Sequence, residues 1–136
     1  MTVDLRTPPG MLQPVPYHHV AVGTGTRHVH VAGQVARDAE GRPVAADDLA
    51  VQVAQALRST ARGLAGAGAG FADVVRLRFF AVRWHPDKYG DLLAGIERVA
   101  EELGIPQPWP PVSLLGIDSL FEPDVLVEVE AYAVLD

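Results

Sequence analysis

Glu128 and Glu130 stand two residues apart inside an otherwise apolar run, Val127-Glu128-Val129-Glu130-Ala131-Tyr132-Ala133. On a strand, side chains two apart leave the same face. Val127, Val129, Ala131 and Ala133 therefore share a greasy face, and Glu128, Glu130 and Tyr132 share the other. Two carboxylates on one strand face require water, a polar partner or a ligand there. A carboxylate in an apolar cleft has its pKa raised, which suits it to general acid/base work or to activating a water. The competing reading of Glu128 is a solvated or salt-bridged surface residue. For Glu130 a pairing with Arg76 or Arg78 across the sheet is expected.

Other groups that could do chemistry are less well placed. His28 and His30 share a strand face, and His18 and His19 fall on the preceding strand. Imidazole is a common metal ligand, but no HExxH or similar spacing occurs, so no metal site is expected. His18 or His19, next to Tyr17, could instead serve as a cleft acid or base. His85 precedes Pro86 and is expected at a helix start. Gly23, Gly25, Gly66, Gly68 and Gly70 lack the lysine and Ser/Thr of a phosphate loop and read as turn and cap residues. Ser113 and Ser119 have no nucleophile-elbow context. The chain has no cysteine, which excludes disulfides, thiolate metal sites and cysteine nucleophiles.

The elements that must position these groups follow from pattern. The N-terminal stretch 1–16 holds four of the eleven prolines and is expected to be irregular, with one short edge strand at Thr2–Arg6. Tyr17–Val22 and His28–Val35 read as strands joined in a hairpin by Gly23-Thr24-Gly25-Thr26. Leu49, Val53, Leu57, Ala61 and Leu64 recur at helical spacing, so a helix is expected from about Asp47 to Leu64. Asp47 and Asp48 suit its positive end. Asp73–Trp84 reads as a long strand, with Val75, Leu77, Phe79 and Ala81 on one face and Arg76, Arg78, Phe80 and Val82 on the other. A second helix starts near Pro86, carries Leu92, Leu93, Ile96, Val99 and Leu103, and stops at Gly104. Val112–Ser119 and Val125–Leu135 complete the set.

The expected fold class is thus α+β, one domain over residues 1–136, with about six strands in a mixed sheet and two helices on one face. The second sheet face, if left bare, would be adhesive, which implies a homo-oligomer. A formal charge of −6 argues against nucleic-acid binding, which rests on phosphate neutralisation. Neither a signal peptide nor a membrane span is expected, and a reducing cytoplasm fits the absence of cysteine.

Several short matches, in order, run from Tyr17 to Val134: Pro16-Tyr17, Ala32-Gly33-Gln34-Val35, Gln52, Gln55-Ala56-Leu57, Leu64-Ala65-Gly66-Ala67-Gly68, Asp73-Val74-Val75 and Val127-Glu128-Val129-Glu130-Ala131. With these the chain resembles the Rid family (YjgF/RidA), which includes enamine and imine deaminases. The resemblance implies a chorismate-mutase-like protomer, a homotrimer, a small-molecule cleft between neighbours and no cofactor. It also implies that Glu128 positions the attacking water and that Tyr17 lines the pocket.

The chain departs from the family pattern where the deaminases clamp the substrate carboxylate. An arginine belongs after the Pro-Ala pair, and a guanidinium suits that task through two parallel charge-assisted bonds. Here the run is Pro110-Pro111-Val112. The family's serine before Gly-Gln is Ala32, its asparagine on the second helix aligns with Leu93, and its cysteine falls at Leu114. Trp109 replaces an aromatic before the proline. Val112, Trp109, Leu93, Leu114, Ala32, Gly33 and His18 are therefore the expected substrate-binding set around Glu128 and Tyr17. The expected activity is enamine or imine hydrolysis with altered substrate choice. The alternative is a binding or scaffold trimer without catalysis.

Overall fold

The computed structural model describes residues 2–136. Six strands and two helices follow the chain as β1 (Val3–Arg6), β2 (Val20–Gly23), β3 (Arg27–Gln34), α1 (Leu49–Gly66), β4 (Val74–Val82), α2 (Tyr89–Leu103), β5 (Val112–Ile117) and β6 (Val127–Leu135). The α+β class is as expected, but the six strands form two sheets rather than one. A four-stranded sheet has the order β3-β6-β4-β5, and β1 and β2 form a separate ribbon.

The expected hairpin of β2 with β3 does not form. The reason lies in the path of β2. His18 N–H donates to Trp109 O at 2.7 Å, so the segment before β2 starts beside the lead-in to β5. At its far end Gly25 passes so close to β6 that a side chain there would lie 2.7 Å from the Leu135 carbonyl carbon. The segment thus crosses the end of the main sheet from the β5 side to the end of β6. Its backbone bonds go to β1, with Val3 opposite Gly23 and Arg6 opposite Val20.

In the main sheet, β3–β6 and β4–β6 are antiparallel and β4–β5 is parallel. The parallel pair requires a crossover, supplied by α2. Asp48 caps α1 by accepting from Val51 N–H at 3.1 Å. A short 3₁₀ turn over Pro86–Lys88 leads into α2, with His85 Nδ1 accepting from Asp87 N–H at 3.2 Å. Gly104 ends α2 at φ 69°, the left-handed conformation that costs glycine nothing.

Both helices lie on the face carrying Leu77, Phe79, Val127, Val129 and Ala131, which join Leu57, Leu64, Ile96 and Val99 in one buried core. Truncating a fully buried aromatic such as Phe79 in a core of this kind costs about 3–5 kcal/mol. The alternation on β6 is as expected. On β4 it fails at one place: a register shift between Val74 and Arg76 turns Val74, not Val75, into the core. A bulge inserts one residue and inverts the parity before it.

The face away from the helices is more polar than expected. Arg78 donates to Tyr132 Oη at 2.6 Å and lies 3.0 Å from Glu130, the pairing anticipated for Glu130. That ion contact lacks hydrogen-bond geometry, and Glu130 Oε1 has no other partner. His30 meets the Tyr132 ring edge-on at 5.0 Å. Among the described residues no helix is long and apolar enough to cross a membrane.

Candidate functional site

Glu128 lies at the start of β6, opposite Phe80 of β4. On its other side β3 is irregular: the register with β6 shifts between Val31 and Gln34, where Ala32 and Gly33 stand. The carboxylate packs over Gly33, so that a Cβ on Gly33 would come within 2.7 Å of Glu128 Cγ and closer still to the carboxylate. Glycine is needed here to leave room for the carboxylate. Desolvation in this position raises the Glu128 pKa above the ordinary glutamate value, and the neighbouring charge of Glu130 adds to the effect.

The other expected site residues gather elsewhere. Tyr17 forms a parallel bridge with Trp109, whose backbone N–H donates to Pro16 O at 2.8 Å. Tyr17, Leu93, Val112 and Leu114 are partly buried against the core that includes Trp109. Val112 pairs with Leu77 and Leu114 with Phe79, so both share the helix-side face of the sheet. Glu128 pairs with Phe80 and points to the opposite face. Within one chain the structure therefore separates the expected site residues into two groups, or half-sites, Glu128 with Ala32 and Gly33, and Tyr17 with Trp109, Leu93, Val112 and Leu114. His18 joins the second through its backbone alone, by its bond to Trp109.

The histidines do not converge. With the hairpin absent, His18 and His19 do not face His28 and His30. The His19 ring lies 5.2 Å from Tyr17 and its Nε2 is 2.8 Å from Leu12 O. Among the described residues no group of three or more His, Asp or Glu is arranged to hold a metal.

Two residues that shape this end of the sheet were given no role from sequence. Gln52, 1% exposed, accepts from Leu126 N–H at 2.9 Å and donates to Asp124 O at 2.8 Å and Ala45 O at 3.1 Å. It ties the start of α1 to the loop that delivers Glu128. Arg37 donates to Asp124 at 2.6 and 2.8 Å and to Glu122 at 2.9 Å, fixing the same loop from the β3 side. These bonds hold the Asp124 pKa below the ordinary aspartate range. A groove of about 690 Å³ runs between the end of β3 and α1, past Gly33, Arg37 and Arg62, and is not lined by Glu128 or Tyr17. Gln52 matched the family pattern, but its long-range bonds have no local sequence signal.

Residues 11–135 match the family described as Endoribonuclease L-PSP. The chain belongs to that family, the Rid (YjgF) proteins. A Rid protein of unknown function from Yersinia pestis, YyfB, is 34% identical over 99% of this chain and 100% of its own, with a TM-score of 0.88. Rv2704 of Mycobacterium tuberculosis, from the same family, is 26% identical over 98% and 99% of the two chains, with a TM-score of 0.62. The YjgF gene product of E. coli shares the fold at 24% identity, a TM-score of 0.69 and coverage of 97% and 94%. No curated protein sequence matches the chain. Gly33, Val112 and Glu128 all lie within the residues that match the family.

Proposed function

We propose that this Rid protein hydrolyses small enamines or imines that are not held through an α-carboxylate at position 112. The observation that carries this reading is Glu128, packed over Gly33 with a raised pKa. In the proposed step Glu128 accepts a proton from water as the water oxygen bonds to the C=N carbon. That proton passes to nitrogen to give a carbinolamine. Glu128 then takes the carbinolamine hydroxyl proton and delivers it to nitrogen as C=O forms and the C–N bond breaks, and a carbonyl compound and ammonia leave. Water and imine together balance both products.

The two half-sites lie on opposite faces of one sheet. A complete cleft therefore needs Glu128 of one protomer and the Tyr17–Trp109 cluster of another, which supports the trimer that the family resemblance implies. A valine at position 112 offers neither charge nor hydrogen bond, so the reading assigns an apolar or neutral substrate body to that side.

A second reading, a binding trimer without turnover, is favoured by the same valine. The ribonuclease named in the family description is disfavoured by the net charge of −6. The test is ammonia release from enzymatically generated imines of several amino acids, including decarboxylated ones. Acceleration that disappears in Glu128→Gln supports hydrolysis. A folded oligomer that accelerates none of them supports the binding reading.

A further inference from the structure

A cleft of about 480 Å³ lies beyond the carboxyl ends of the parallel strands β4 and β5, bordered by Val82, Arg83, Ser119, Phe121 and Glu122. Its size is that of a small-molecule site. Three observations single it out. The first is the backbone of Arg83, at φ +46°, a left-handed conformation that a long side chain adopts at a cost. The surroundings enforce it. Arg83 N–H donates to Ile117 O at 2.7 Å, and Lys88 Nζ donates to Val82 O at 3.0 Å and to Arg83 O at 2.9 Å. Three contacts thus hold the strained backbone of Arg83 at the rim of the cleft.

The second observation is that the exposed Arg83 guanidinium, like those of Arg62, Arg76 and Arg98, forms no ion pair among the described residues and is free to meet an anion. The third is Phe121, a large aromatic left 66% exposed. The Arg37 guanidinium, fixed by Asp124 and Glu122, sits 5.7 Å from its ring centroid. The rest of the ring is open and offers an apolar wall to the cleft.

We propose that this cleft binds a small aromatic monocarboxylate, with the Arg83 guanidinium on the carboxylate and the Phe121 ring against the aromatic body. A single guanidinium suits one carboxylate. Glu122, on the same wall, repels a phosphate dianion more strongly than a monocarboxylate. The site is separate from the hydrolytic chemistry assigned to Glu128, and its readout is binding, not turnover.

Calorimetric titration of the full chain with phenylacetate, acetate, phenylacetamide and inorganic phosphate tests it. Phenylacetate is expected to bind with a Kd below about 1 mM. Acetate, which lacks the ring, and phenylacetamide, which lacks the charge, should each bind at least roughly tenfold more weakly. Arg83→Gly removes the guanidinium and suits the left-handed backbone, so its Tm should equal or exceed that of the parent while phenylacetate binding falls about tenfold or more. Phe121→Ala should weaken phenylacetate and leave acetate unchanged. Undetectable phenylacetate binding, undiminished binding in Arg83→Gly, or phosphate as the tightest ligand would each overturn the assignment.

Discussion

Gly33 and Glu128 compete for one volume. The missing side chain of the first is the space occupied by the carboxylate of the second, and a Cβ there would stand 2.7 Å from Glu128 Cγ. Because the obstructing group is the end of a flexible side chain, Gly33→Ala is expected to displace the carboxylate and leave the strand intact. Stability should change by less than about 1 kcal/mol, while imine turnover should fall at least about tenfold. A double-mutant cycle with Glu128→Ala checks it. The two stability changes should be non-additive, since shortening residue 128 empties the space that the new methyl needs. Additive changes would place the clash elsewhere.

Glu128 also sets a pH dependence of definite sign. Burial, with help from Glu130, lifts its pKa in the fold, so its charge is a burden above the folded pKa that disappears below the unfolded one. Glu128→Gln is therefore expected to raise Tm at about pH 8, with the difference shrinking as pH falls through the carboxylate range. If the carboxylate is the base, the acid limb of the rate profile lies above the ordinary glutamate pKa. A Tm difference that does not vary with pH would remove the desolvation account.

Asp124 and Asp38 work in the opposite sense. Bonds from Arg37 lower the first pKa, and bonds centred on Arg42 lower the second. Their contribution is complete above the ordinary aspartate pKa and is lost as pH falls from there through the folded values. Asp124→Asn should therefore flatten the acid branch of the stability curve below about pH 4. An unchanged acid branch in thermal melts of the variant would show that the Arg37 pair carries none of it.

Gln52 makes a prediction about the loop that carries Glu128 into the sheet. Gln52→Leu keeps the volume and removes bonds to Leu126 N–H and to the carbonyls of Asp124 and Ala45. Leaving these buried groups unpaired should cost about 2–4 kcal/mol. Denaturant melts measure the loss, and hydrogen exchange should localise it to the Leu126 amide. A cost within experimental error would mean that solvent replaces the side chain.

Val112→Arg asks whether the altered cleft is one substitution from the usual one. Val112 is half-buried, so the arginine stem can pack while its head reaches outward. The variant should fold with a loss of about 1–3 kcal/mol and gain ammonia release from carboxylated imines. A folded but inert variant would weigh against the proposed role of position 112.

What could be read from the residues was whatever repeats locally. The period-two alternation of β6 placed Glu128 and Glu130 on one face because nothing interrupts that strand. The same logic misassigned Val75, since a bulge leaves no mark on composition. The β2–β3 hairpin was a sound inference from the Gly-Thr-Gly-Thr turn. It failed because partners far away in sequence, Trp109 and Leu135, direct that segment across the sheet. Arg83 was invisible for a similar reason: its conformation is imposed by Ile117 and Lys88, not by its own type. The split of the expected site into two half-sites follows from strand parity, and neither family spacing nor hydrophobic pattern registers which face of a sheet a valine takes.

The path of β2 has a bearing on how the chain matures. The β2 segment meets Trp109 and Leu135, which are synthesised about ninety and more residues after it. It must therefore wait, unsheltered, until those partners have left the ribosome, and its docking is a late event in acquiring the native shape.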